Sequence, residues 1–298
     1  MNKINRVAVS SSPFTSVLNN YEGMPTHLYV RGKLPKESLP AVAIVGSRRP
    51  TAYGIDVTYK FAYSLAKQGV VIISGLASGV DAIAHTACLE AGGTTIAVLA
   101  NGLNNIYPKS NEQLAKRILE SGGAIISEYE NGTEARPYFF LARNRLVSGL
   151  ANALLVTEAT AQSGTFSTVN HAITQNKDVF AIPGPITSLL SAGANQILQT
   201  GAHIALRPSD IIDMLPMPNM PKITSSKGKG KNHRLPLGDT PLEMAIINNI
   251  HKGMHSGDEI LARLNCSSAE FATALTFLEL GGKIKALGGN TWGLHIDF

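Results

Sequence analysis

Cysteine is scarce in this 298-residue chain: Cys88 and Cys266 are the only two, far apart and with no spacing suited to a metal. That argues against a disulfide framework or a zinc site, and both residues read as small buried groups in a reducing compartment. Long apolar runs are also missing. No stretch approaches the roughly 20 apolar residues of a membrane helix. The first thirty residues show neither the apolar core nor the small-residue cleavage site of a secretory leader. A cytoplasmic protein without a membrane span is therefore expected. Acidic residues are absent from one region in particular. Between Pro216 and Gly238 lie Lys222, Lys227, Lys229, Lys231 and Arg234, with no carboxylate among them. These are five of the 26 lysines and arginines, and the other 21 equal the 21 acidic residues. The net charge of +5 thus belongs to one segment, and any nucleic-acid surface elsewhere must be a local patch.

What is present is a repeated strand-then-helix pattern. Short apolar runs at 42–45, 70–73, 95–99, 124–126, 153–156, 178–182 and 203–206 are rich in β-branched residues. Helical patterns separate them at about 54–68, 80–91, 111–121, 138–150, 165–176 and 194–200. Strands apolar on both faces, alternating with helices, predict an α/β fold: an extended Rossmann-like parallel sheet with helices on both faces. Right-handed crossovers place every strand-to-helix loop at one edge of that sheet, where ligands of such folds bind. Residues 1–39 read as an N-terminal extension with one short strand near His27–Gly32, and 40–215 as the Rossmann-like domain. Residues 216–238, rich in proline, glycine, serine and lysine, read as a solvated basic linker. Residues 239–298 form a small winged-helix-like domain. There Ser256 with Glu259, and Ser267 with Glu270, have capping-box spacing, and Phe271, Leu275 and Leu278 share one helical face. A Gly288-Gly289-Asn290 turn then joins two short strand-like runs.

Four loops at the predicted ligand edge carry the candidate chemistry. In the first, Gly46 ends a strand, Ser47 adds a hydroxyl, and Arg48 offers a planar fork suited to phosphate. Arg48 stands where a dinucleotide fingerprint needs its second glycine, and no Walker G-K-[ST] follows. The second loop, Ser74–Asp81, has Gly75 and Gly79 four apart around Ser78, a spacing that makes a shallow backbone nest. Asp81 and His85, four residues apart, read either as a catalytic couple or as a pair bracing the loop, the latter favoured because no nucleophile is near. The third places Phe140, Arg143, Asn144 and Arg145 on one helix. Arg143 and Arg145 cannot face the same way, so one is expected to reach the ligand while the other braces a neighbouring loop. Phe140 beside cations suits stacking on a single-stranded base, whereas Phe139 reads as core. In the fourth, Ser163, Gly164 and Thr165 open a helix with hydroxyl and backbone donors, or simply cap it.

These loops sit in runs that resemble the DNA-processing protein A family (DprA, also called Smf). They read VAIVGSRRPTAYG from Val42, SGLASGVDAIAH from Ser74, ANGLNNIYP from Ala100, FLARNRLVSGLANALLVTEATAQSGT from Phe140, FAIPGP from Phe180 and GANQILQTGA from Gly193. The resemblance covers about residues 25–215, and 239–298 is similar to the winged-helix domain of many members. It implies a Rossmann-like homodimer that binds single-stranded DNA without cleaving it, shields incoming DNA during natural transformation (competence) and loads the RecA recombinase onto it. No cofactor or metal is implied. By position, Gly46, Ser47 and Arg48, with Gly75, Ser78 and Gly79 of the second loop, would hold phosphates. Phe140, Arg143 and Asn144 would line or support the base-facing part, and Ser163, Gly164 and Thr165 would close it. The chain departs from the family at Ser78, where an arginine is usual, and at Thr165–Thr168, where small apolar residues are. Arg49 or Arg136 is the candidate to compensate for Ser78.

Two other functions compete with this one. A nucleotide phosphoribohydrolase of similar fold carries P-G-G-x-G-T-x-x-E, and the glutamate position here is Thr168, which has no carboxylate for the cleavage. A nucleotide-sensing module would bind mononucleotides in preference to oligonucleotides. The third helix of the C-terminal domain, about 267–280, holds Glu270 and Glu279 and no lysine or arginine. Such a helix is repelled by phosphate in a major groove, so this domain is expected to contact protein, or to add weak affinity through Lys283 and Lys285.

Overall fold

The computed structural model describes residues 3–216, 240–264 and 266–294. The expected basic linker lies, but for Pro216, outside them. The chain divides into two units, 1–220 and 221–298.

In the first unit the order is β1 (Ile4–Ala8), β2 (His27–Gly32), β3 (Ala41–Val45), α1 (Ala52–Lys67), β4 (Val71–Ser74), α2 (Val80–Glu90), β5 (Thr95–Leu99), α3 (Glu112–Glu120), β6 (Ala124–Ser127), α4 (Pro137–Leu150), β7 (Ala153–Val156), α5 (Thr165–Thr174), β8 (Asp178–Ala181), α6 (Leu189–Gln199), β9 (His203–Ile204) and α7 (Pro208–Ile212). One sheet of nine strands runs β1-β2-β6-β5-β4-β3-β7-β8-β9. From β6 to β9 every pairing is parallel. The Rossmann-like sheet expected from the alternating pattern is therefore present.

Strand periodicity sorts the core. Ala41, Ala43 and Val45 of β3 face one apolar layer, with Leu146, Leu150 and Val169 of α4 and α5. Val42 and Ile44 face the other, with Phe61 and Leu65 of α1 and Ala84 of α2. All five β3 residues are buried, which is why the strand lacks polar alternation.

Three features differ from the sequence expectation. Within the expected N-terminal extension, residues 4–8 and 27–32 join the main sheet: β1 pairs antiparallel with β2, and β2 pairs antiparallel with β6. Val9, Phe14, Leu18, Leu28 and Val30 enter the main core. β1 is a half-exposed edge strand, so its INRVA carries no continuous apolar signal. Helix α6 begins at Leu189 rather than near 194, because its first turn packs on the fourth loop, where the Gly193 amide donates to Ala159 O at 2.8 Å. Only His203–Ile204 of the run 203–206 pairs as a strand.

The second unit contains α8 (Pro241–His251), α9 (Gly257–Arg263), α10 (Ser268–Leu280), β10 (Ile284–Gly288) and β11 (Thr291–Leu294), the three helices and hairpin of a winged helix. Ser267 and Glu270 form the full reciprocal capping box, whereas Ser256 only accepts from the Glu259 amide. Phe271, Leu275 and Leu278 are buried together as the helical spacing predicts. Among the described residues no helix is long and apolar enough to cross a membrane.

Candidate nucleic-acid interface

The sheet order reverses at β3: the chain lays β4, β5 and β6 on one side, then returns to lay β7, β8 and β9 on the other. The loops leaving β3 and β7 diverge there, and a crevice opens at the strands' carboxyl ends. A cleft of about 220 Å³ occupies that place. Gly46, Arg48, Phe140, Arg143, Asn144, Ser163, Gly164 and Thr165 all line it, brought together from three separate loops, and Ala77 and Asp81 join them from the second. Ser47, Gly75, Ser78 and Gly79 do not.

The glycines have a different task from presenting amides to a phosphate. A Cβ at Gly46 would lie 2.6 Å from Glu158 O, and one at Gly75 2.2 Å from Arg143 Nη1. At Gly79, with φ +78°, it would lie 2.4 Å from Ser47 O. These residues let all four loops pack against one another. Four of the amides in the first two loops are already used. Ser47 N–H donates to Glu158 O at 2.7 Å, and Arg49 N–H to Ser47 Oγ at 3.1 Å. The nest expected at 75–79 is filled by the protein itself, since Gly75 and Ala77 N–H donate to Asp81 Oδ2 at 3.0 and 3.3 Å. Thr165 N–H donates to Ser163 Oγ. Five of the loop amides, those of Ser47, Arg49, Gly75, Ala77 and Thr165, are thus committed to internal acceptors.

Glu158 is the residue whose part the loop pattern did not reveal. It is 1% exposed, and its carboxylate accepts from Thr51 N–H at 2.8 Å and Thr51 Oγ1 at 2.6 Å while its carbonyl holds Ser47. Thr51 Oγ1 also caps α1 by accepting from Gly54 N–H. One buried acid thus clips the first loop to the fourth, a hint available only in the oddity of a glutamate directly after an apolar strand.

Both arginines of the third loop prove to be braces. Arg143 is 5% exposed, and its Nη1 donates to Gly75 O at 2.8 Å and to Val98 O. Arg145 pairs with both oxygens of Glu128 at 2.7 and 2.8 Å and donates to Gly23 O. Arg145 thus braces its neighbouring loop, while Arg143 lines the cleft from a buried position and serves the carbonyl ends of β4 and β5. Arg48 is the exposed cation of the cleft. Its guanidinium lies 5.6 Å from the Phe140 ring centroid, a cation–π arrangement. Tyr107, half-exposed on the loop after β5, completes the ledge with its ring 5.4 Å from Phe140. It stands in the run ANGLNNIYP, where no sequence pattern marks it as a site residue. Phe139 sits between Tyr129 and Tyr138, at 4.2 and 4.4 Å, rather than in the deep core. Ser78, Arg49 and Arg136 are exposed but do not line the cleft, so neither arginine replaces the missing cation there. Thr165 and Thr168 do line it, as buried hydroxyl-bearing walls.

Asp81 and His85 do not form a couple. Asp81 holds the second loop, while His85 Nδ1 lies 2.6 Å from Thr95 Oγ1. Thr95 Oγ1 gives its proton to Ile72 O, so His85 Nδ1 is the donor of the pair. Burial, aided by the Arg143 charge, lowers the His85 pKa to about 3. Between the unfolded value near 6.5 and that folded value, the unfolded chain takes a proton that folded His85 refuses. Stability therefore falls as pH falls, by about 2 kcal/mol from pH 7 to pH 5. Comparing urea midpoints of wild type and His85→Gln across that window should show a flatter dependence in the variant; identical slopes would refute this assignment.

With this geometry established, comparison with known proteins is decisive. Residues 5–216 match the family model of DNA recombination-mediator protein A, and residues 231–290 match the DprA winged helix domain. The chain belongs to the DNA recombination-mediator protein A family. It is 36% identical over 270 residues to protein Smf of Escherichia coli K12, covering 89% of this chain and 71% of that one. It is 34% identical over 218 residues to DNA processing protein DprA of Bacillus subtilis, covering 73% of each. Among solved structures, DprA of Streptococcus pneumoniae aligns with a TM-score of 0.67 at 34% identity, over 72% of this chain and 76% of that one. DprA of Helicobacter pylori, solved for its single-stranded DNA binding mode, aligns with a TM-score of 0.63 at 32% identity, over 72% and 97%. The Rossmann-like and winged-helix architecture expected from sequence is that of this family.

Proposed function

We propose that the first unit binds single-stranded DNA at the cleft, with a phosphate on Arg48 and a base against Phe140 and Tyr107. The observation that carries this reading is an exposed guanidinium beside two accessible rings at the switch point of the sheet. Base–aromatic stacking requires an unpaired base, which favours single strands over duplex. The small volume also suits a strand lying along a rim better than an engulfed cofactor, whose pockets are usually about 300 Å³ or more. Asp81 is the one carboxylate among the lining residues, and it is committed to two amides, so the cleft offers no free acid for a phosphoribohydrolase.

A gel-shift series with single- and double-stranded oligonucleotides tests this reading, and equal affinity for both sinks it. In the same series Tyr107→Ala should weaken single-strand binding about tenfold while leaving the salt dependence unchanged, since stacking is lost but no charge.

Our reading further makes the protein a recombination mediator that shields DNA taken up in natural transformation and passes it to RecA. It acts as a homodimer, for which exposed Ile173, Ile204 and Leu206 near the β9 edge supply apolar surface. Sedimentation equilibrium at micromolar concentration should give twice the chain mass; a monomer there contradicts it. Helix α10 exposes Phe277 and Leu280 and carries no cation, which favours a protein partner over duplex for the second unit.

A further inference from the structure

Three charged side chains line the cleft: Arg48, Asp81 and Arg143. Arg48 is exposed, whereas Asp81 and Arg143 are 7% and 5% exposed and form its floor. The floor therefore carries one group of each sign; burial raises the Asp81 pKa, and the Arg143 charge and the two loop amides oppose that rise. Arg143 also has spare capacity: its Nε has no hydrogen-bond partner among the described residues. A buried guanidinium with an unused donor at the bottom of a cleft is a latent anion site. What cancels its charge is the Asp81 carboxylate, held in place by the Gly75 and Ala77 amides.

We propose that Asp81 limits the strength and salt dependence of strand binding by neutralising Arg143 within the cleft floor. This refinement rests on the single-strand reading above. Asp81 does two separable things: it shapes the second loop through hydrogen bonds, and it removes one positive charge from the site. Both amides donate to the same oxygen, Oδ2, so the carbonyl oxygen of an asparagine accepts both and retains the loop. Ser74 Oγ, which lies beside the carboxylate and gives its proton to Ile44 O, is then able to accept from the new NH₂ group. Asp81→Asn thus keeps the brace and deletes the charge, raising the cleft's formal charge by one. Arg143→Gln removes the cation, and Asp81, buried without it, shifts toward its protonated form, so the cleft's charge falls by less than one. Restraint of this kind suits a protein that must release its strand to a partner, because one unscreened cation facing phosphate slows dissociation.

The test measures binding of a fluorescent single-stranded oligonucleotide at salt concentrations from about 50 to about 300 mM, the range over which counterion release is read. The expected order of affinity and of salt slope is Asp81→Asn, then wild type, then Arg143→Gln. Asp81→Asn should steepen the slope by about 0.7 in log K against log salt, and Arg143→Gln should flatten it by less. Asp81→Asn should bind about fivefold more tightly than wild type at the lowest salt. Asp81→Ala, which loses both amide anchors, should bind more weakly than Asp81→Asn, separating the brace from the charge. Either Asp81→Asn or Arg143→Gln alone reads the sign, so loss of one variant to misfolding leaves the other. Wild type that binds while all folded variants share its slope overturns the proposal and spares the single-strand reading. Wild type that fails to bind any single strand overturns both.

Discussion

Arg48→Ala is expected to lower affinity for single-stranded oligonucleotides by about ten- to a hundredfold, the cost of about 1.5–3 kcal/mol for a lost charged hydrogen bond. The loop amides of Ser47, Arg49, Gly75, Ala77 and Thr165 are spent on internal acceptors, and Arg143 is buried and paired. Arg48 therefore carries more of the phosphate attraction than it would in an open amide cradle. Its removal should also lower the salt slope by about 0.7, the signature of one phosphate contact in a single strand. Arg48→Lys should recover part of the affinity, because it keeps the charge but neither the planar fork nor the stacking on Phe140. A loss below twofold, with the salt slope intact, would move the phosphate site elsewhere on the protein.

Gly79→Ala is expected to destabilise the first unit by about 3 kcal/mol or more. Two costs add. A left-handed φ of +78° is strained for any residue with a Cβ, and here that Cβ lies 2.4 Å from Ser47 O and 2.6 Å from the Arg48 carbonyl carbon. Backbone cannot rotate aside as a side-chain tip does, so the first loop must move. Thermal melting should show a drop of roughly 6–12 °C at this chain size, with DNA binding reduced beyond it because Arg48 is displaced. Gly164→Ala is the contrast: φ is −58° and nothing lies within 4 Å of the added Cβ. It should change stability by less than about 0.5 kcal/mol. Equal melting points for the two alanine variants would show that Gly79 does not hold the loops together.

The strands and helices were legible because burial on both faces leaves unbroken apolar runs, such as Val42–Val45 and Ala153–Val156, between helical periods. The β1–β2 hairpin was only partly so. β1 is an edge strand whose residues are half exposed, and β2 reaches β6 across about a hundred residues of chain. The candidate site was legible as a set of loops because all strand-to-helix connections of a parallel sheet emerge at one edge, and eight of its twelve residues do line the cleft. Their individual roles were not. Whether Arg143 faces out or in depends on the carbonyls of Gly75 and Val98, which belong to two other strands' ends.

By itself the sequence determined which segments pair as strands, which edge collects the glycines, hydroxyls and arginines, and that one basic region holds the excess charge. Those are properties of pattern and composition, read along the chain. Only the tertiary structure decided which donors remain for a ligand. A hydrogen-bonding group is available only after every nearer internal acceptor has been satisfied, and Glu158 and Asp81 reach their amides from positions that spacing in sequence does not reveal. Arg48 and the Phe140 and Tyr107 rings beside it are the exposed cation and the aromatic pair that this selection leaves at the cleft.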